Sequence, residues 1–140
     1  MPAYFYIDSE LGVVFSKATG VFSRADALDH MERLSRHPDF RPELNQLADF
    51  RQITKVDLSS EEIRELAKMT IFSARSQRAF VVSSDLQFGL GRVFASYREI
   101  RGETGIMIFR QLQDALNWLS ISSEPDAKVF TELGSFSDKV

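Results

Sequence analysis

A chain of 140 residues is the size of one domain and can bury a single core. Hydrophobic residues make up 44% and charged residues 26%, which excludes a disordered chain, and 12 phenylalanines point to an aromatic core. The net charge of −3 gives no electrostatic reason to expect nucleic acid or an anionic membrane, and the lack of cysteine excludes disulfides, thiolate nucleophiles and cysteine-bound zinc. The start, Met1-Pro2-Ala3-Tyr4-Phe5, has neither the basic head nor the apolar stretch of a signal peptide. No apolar run approaches the roughly 20 residues that span a bilayer, so the cytoplasm is the expected compartment.

From Ala3 to Ser9, Tyr4, Tyr6 and Asp8 alternate with Phe5, Ile7 and Ser9, the period of a strand. Gly12 and Val13-Val14-Phe15 follow so closely that a second, short strand must run antiparallel to the first, and Gly20 is expected to end it. Ser23 stands three residues before Asp26 as an N-cap. Leu28, Met31 and Leu34 then recur at helical spacing until Pro38 forces a stop. Gln46 to Phe50 reads as a short buried strand, followed by a polar loop to Asp57. Ser59 and Glu62 have capping-box spacing, and Ile63, Leu66, Ala67 and Thr70 mark one face of a second helix. Ala79-Phe80-Val81-Val82 lies within a central strand from Arg78 to Ser83. Ser84 caps a third helix, whose Leu86, Leu90, Val93, Tyr97 and Ile100 form its apolar face and which Gly102 closes. Gly105 to Phe109 is a further buried strand, and Leu112, Ala115, Leu116 and Leu119 place a final helix on the sheet. Ser122-Ser123-Glu124-Pro125 breaks that helix, so residues 1–122 form the domain and 123–140 are expected to be a mobile tail. The order β-β-α-β-α-β-α-β-α implies an α/β fold: a five-stranded, mostly parallel sheet with an antiparallel N-terminal strand and four helices.

Ser83, Ser84, Gly89, Gly91 and Arg92 follow the end of a parallel strand and straddle the first turns of a helix. Ligands of open α/β sheets bind at that edge, and helix N-termini favour anions. Arg51, at the end of the neighbouring strand, is expected near the same edge. With Arg92 it would hold a carboxylate or phosphate, while Tyr97 and Phe88 line an apolar part of the cleft. Close helix–sheet packing, with Arg92 on a solvated face, is the simpler explanation of the glycines. Neither a dinucleotide fingerprint nor a P-loop is present. His30 and His37 have no acidic companions at metal-ligand spacing, so neither a metal nor a cofactor is expected. There is no Gly-x-Ser-x-Gly elbow and no paired carboxylate arrangement, so no catalytic residue is assigned.

The element order resembles the STAS superfamily, and within it the bacterial SpoIIAA-like proteins. Three local patterns carry the likeness: Leu47-Ala48-Asp49-Phe50-Arg51; Arg78-Ala79-Phe80-Val81-Val82-Ser83 leading to Gly89-Leu90-Gly91-Arg92-Val93-Phe94; and Ile108-Phe109-Arg110 before Ala115-Leu116-Asn117-Trp118-Leu119. The resemblance implies helices on one principal side of the sheet and a non-enzymatic regulatory or protein-interaction role in bacterial signalling. In anti-sigma-factor antagonists a serine at the start of the helix after the third strand is phosphorylated. Ser59 or Ser60 occupies that place here, but the Asp-Ser-Ser-Gly type of motif is absent, and Glu61 and Glu62 would meet a phosphate with like charge. The implied contact surface, for a protein partner or a second copy, centres on Arg51–Ser60, the second helix and the Ser83–Arg92 turn. Met69, Ile71 and Phe72 are expected to extend it as exposed apolar residues. SEC14-type lipid carriers look like distant relatives of this fold. They imply the alternative, a small anionic or amphipathic ligand at the carboxyl edge of the sheet.

Overall fold

The computed structural model describes residues 3–121, so Met1, Pro2, Ser122 and the expected tail at 123–140 lie outside the described residues. Five strands, β1 (Ala3–Asp8), β2 (Val13–Ser23), β3 (Asn45–Asp57), β4 (Arg78–Val81) and β5 (Ile106–Phe109), lie in chain order across one sheet. β1 is antiparallel to β2, and each later neighbour pair is parallel. The helices are α1 (Arg24–Arg36), α2 (Ser60–Ala67), α3 (Asp85–Ile100) and α4 (Leu112–Trp118).

Strand alternation divides the core between two faces. Val13, Phe15, Leu47, Ala79 and Val81 pack beneath Ala115, Leu116 and Leu119 of α4 and its C-cap. Residues of the opposite phase face the other three helices. Phe5 and Val14 meet Leu34 of α1, and Ala48, Phe80 and Ile106 meet Phe94 of α3. Three helices therefore cover one side and a fourth covers the other.

The caps form as their spacing implies. Ser23 caps α1 in a reciprocal box with Asp26, and Ser59 caps α2 in the same way, with Glu62 N–H donating to its hydroxyl at 3.1 Å. Ser59→Ala is expected to cost about 1 kcal/mol, read as a lower urea midpoint with an unchanged m-value.

Four sequence expectations fail for identifiable reasons. Gly20 does not end β2: at φ +69° it sits between two register shifts, and the strand runs on to Ser23. Glycine permits the bend of a bulge, so a turn residue here serves inside a strand. Residues 51–57 are likewise strand, not loop. From Gln52 to Asp57 they pair with Thr19 to Ser23 beyond the reach of β1 and β4, as a two-stranded parallel extension that reads as polar because much of it is solvated. The face of α3 is also rotated from the expected one. Leu86 is 64% and Ile100 82% exposed, while Gln87, Gly91, Phe94 and Arg98 turn inward or against the sheet. Buried polar partners, described below, override the apolar period. α2 also stops at Ala67, short of Thr70, whose hydroxyl instead accepts from Phe72 N–H at 3.1 Å.

Candidate functional site

Between the three-helix side and the sheet lies a cavity of about 190 Å³, partly open to solvent. Its floor is Ser16 and Ala18 of β2, Gln46, Ala48 and Phe50 of β3, and Arg78 and Phe80 of β4. Ala27, His30 and Met31 of α1, Ile63 and Leu66 of α2, and Gln87, Leu90, Gly91 and Phe94 of α3 form the roof. Phe22, Ile53 and Val56, from the two-stranded extension, wall one end. Small residues on the floor create the space. Ala18 and Ala48 stand where larger side chains would fill it, and Gly91 lets α3 come so close to β5 that a Cβ would sit 3.0 Å from Ile108 Cδ1.

A chain of polar groups runs from the cavity floor, at the amino-terminal ends of the parallel strands, into the packed region behind Arg78. His30 Nε2 and Ser16 Oγ share a hydrogen bond of 3.1 Å, and Gln46 Nε2 donates to the same hydroxyl at 3.1 Å. Gln46 and Arg78 are cross-strand partners, and Arg78 Nε donates to Gln46 Oε1 at 3.1 Å. Arg78 Nη1 donates to both carboxylate oxygens of Glu103 at 3.2 Å. Arg98 Nε donates to Glu103 Oε1 at 2.8 Å, and Arg98 Nη1 to the carbonyl of Ala67 at 2.7 Å. The guanidinium of Arg78 also faces the rings of Phe72 at 4.5 Å, Phe80 at 5.5 Å and Phe94 at 5.9 Å. Aromatic faces attract a cation that water no longer solvates.

Burial sets the protonation of this chain. It lowers the pKa of His30 from 6.5 to about 4, helped by the positive charges of Arg33 and Arg78 and opposed by Asp29, so the imidazole is neutral at neutral pH. Burial also lowers the proton affinity of Arg78, and the adjacent Glu103 carboxylate works against that shift. A guanidinium starts from so high a pKa that it stays charged.

The residues expected at the carboxyl edge do not assemble into a site. Arg51 is turned onto its own strand, where Nε and Nη2 grip Asp49 at 2.9 Å each; that hydrogen bond raises its pKa. Arg92 is exposed, its guanidinium 6.0 Å from the Phe88 ring. Ser83 donates to the Arg51 carbonyl at 3.2 Å, and Ser84 is the N-cap of α3, accepting from Gln87 N–H at 3.1 Å. Gly89 is exposed with open space around it, and neither it nor Tyr97 borders the cavity. Of the seven residues, Gly91 alone lines it. Ser60 is exposed at the first turn of α2. Phe72 is buried beneath Arg78, Ile71 packs on the core, and Met69 alone of that trio is exposed.

His30, Ser16, Gln46 and Arg78 carry the polar chemistry of the cavity, with Glu103 behind Arg78, and none of them was assigned to a binding site from the sequence. Their signal was phase. Ser16, Gln46 and Arg78 occupy inward positions of buried strands, where a polar side chain needs a partner. Among the described residues no group of three histidine, aspartate or glutamate side chains is placed to hold a metal, and no helix is long and apolar enough to cross a membrane.

No family profile matches the sequence, and no curated protein matches it significantly. The chain superposes with a TM-score of 0.52 on an uncharacterised protein of the DUF3478 family from Shewanella loihica PV-4, which itself has a SpoIIAA-like fold. The match covers 76% of this chain and 83% of that one, at 20% identity. The fold is SpoIIAA-like. At this identity the likeness extends to the SpoIIAA-like architecture and carries no activity with it. It accords with the antiparallel β1, the parallel sheet from β2 to β5 and the four helices expected from the sequence.

Proposed function

We propose that this SpoIIAA-like chain binds a small, largely apolar molecule in the cavity beneath α1, α2 and α3. The supporting observation is the cavity itself: about 190 Å³, floored by alanines and phenylalanines, with polar groups gathered along one part of its floor. Core packing leaves few voids larger than a water, and an apolar cavity of roughly 150 Å³ takes up benzene. A molecule of about eight heavy atoms fits on that scale. Binding without chemistry is the simpler role for the Ser16–His30 pair. The Ser16 hydroxyl already accepts from Gln46, and among the described residues no carboxylate hydrogen-bonds the imidazole to orient it.

Ala48→Leu tests this reading. Ala48 is buried in the cavity floor, and three added carbons occupy the ligand's space while leaving the fold intact or slightly stabilised. Native mass spectrometry of gently purified protein is expected to show a small organic mass on the wild type and none on the variant. Equal retention by both would place the ligand elsewhere.

A second reading, a regulatory module acting through protein contact, is supported by a different surface. Leu86, Val93 and Ile100 recur every seven residues along the solvent side of α3 and are all exposed. Such a stripe serves a helix-to-helix contact. Val93→Lys is expected to abolish concentration-dependent association in sedimentation velocity if that surface joins two copies, and a wild type that stays monomeric at high concentration counts against self-association.

A further inference from the structure

The charges around the cavity do not balance. Arg78 and Arg98 bring two positive charges to the buried chain, and Glu103 brings one negative charge. His30 is neutral, and Arg33 beside it is matched by Asp29 at 2.8 Å. Among the described residues no aspartate or glutamate lines the cavity. Lys17 borders it too, but strand alternation turns that side chain toward the opposite face. Among the described residues one positive charge is therefore left in a region walled by phenylalanine, where an uncompensated ion is costly.

The excess sits on Arg78. Its Nε and Nη1 are engaged by Gln46 and Glu103, whereas among the described residues no hydrogen bond engages Nη2. Arg78 is only 9% exposed, and it borders the cavity. A charged N–H donor beside an apolar space suits a molecule with an apolar body and an anionic head that accepts a charge-assisted hydrogen bond. A single negative charge completes the balance, which a monoanion supplies and a dianion overshoots.

We infer that the ligand is a small apolar carboxylate whose head group is bound by Arg78 and whose body fills the space over Ala18 and Ala48. The inference rests on the cavity being a binding site, and it adds the chemical class of what binds.

Hexanoate and 1-hexanol share an apolar tail and differ in the head, so their affinities for the intact chain separate the two claims. Ligand-observed NMR is expected to give hexanoate a preference of about tenfold or more, the scale of one charge-assisted hydrogen bond. Arg78→Met leaves Arg98 and Glu103 as a neutral pair, and is expected to lose that preference while still binding hexanol. Arg78→Lys, which keeps the charge, retains part of it. Equal affinities in the wild type, or a preference for the alcohol, would overturn the carboxylate while leaving the cavity reading intact. Binding of neither compound would overturn both. A preference that survives in Arg78→Met would show that the head lies elsewhere. Should Arg78→Met fail to fold, the wild-type comparison and Arg78→Lys still decide.

Discussion

Glu103→Ala is expected to destabilise the chain by about 3–5 kcal/mol, as much as truncating a large core side chain. The carboxylate is wholly shielded from solvent, at 0% side-chain exposure, and accepts hydrogen bonds from both Arg78 and Arg98. Removing it leaves two buried guanidiniums with no counter-charge between β4 and α3. Phenylalanine faces and the Ala67 carbonyl offset only part of that cost. Total stability for a domain of this size is about 5–15 kcal/mol, so the variant loses a large share of it. Glu103→Gln keeps an acceptor oxygen but not the charge, and should fall between wild type and alanine. Urea unfolding of the three proteins measures this directly. A loss below about 1 kcal/mol for Glu103→Ala would mean that the ion cluster contributes little.

The second large effect is on pH dependence. His30 has an unfolded pKa near 6.5 and a folded pKa of about 4, because burial first, and then Arg33 and Arg78, disfavour the imidazolium; Asp29 works the other way. Between those values the unfolded chain binds a proton that the folded chain refuses, so stability falls as pH drops from 6.5 toward 4. Linkage gives a loss of about 2 kcal/mol between pH 7 and pH 5, approaching 3 kcal/mol at pH 4. Other carboxylates titrate over part of the same range, so the measured quantity is the difference between wild type and His30→Gln. The variant is expected to lose less stability on acidification by those amounts. Parallel urea midpoints for the two proteins across pH 7 to 5 would show that the imidazole is not held neutral by the fold.

Much of the architecture was legible in the chain because local chemistry and tertiary structure agree. Ser23, Ser59 and Ser84 cap helices where they stand in sequence, and Val13-Val14-Phe15 and Ala79-Phe80-Val81 form strands because buried β-branched and aromatic residues have no better conformation. The reading failed where a residue serves an unusual purpose. Gly20 allows a bulge, and the solvated stretch from Arg51 to Asp57 continues a strand that one neighbour alone supports. The apolar period of α3 pointed outward because Gln87 and Arg98 occupy its inner face. Gln87 reaches the Ile53 carbonyl at 3.3 Å, and Arg98 reaches Glu103.

The candidate site was less legible for a related reason. Sequence motifs mark backbone turns and helix starts, so they directed attention to Ser83, Ser84 and Gly89 at the carboxyl edge. The cavity depends instead on small side chains at inward strand positions, Ala18 and Ala48, and on polar ones in the same phase, Ser16, Gln46 and Arg78. Those residues are separated by up to 62 positions (78 − 16) and meet through strand pairing alone. Inward phase along each strand was readable. The order of strands that brings the phases together was needed before those positions became a site.

The most direct test of the binding cavity uses the methionines as reporters. Met31 lies on the cavity wall, whereas Met69 and Met107 are exposed away from it, at 38% and 45%. With ¹³C-methyl-labelled methionine in the full chain, titration with 1-hexanol is expected to shift the Met31 methyl resonance saturably and leave those of Met69 and Met107 in place. A Met31 signal that does not move, or one that moves no more than the exposed methyls, would contradict a ligand-binding cavity beneath α1, α2 and α3.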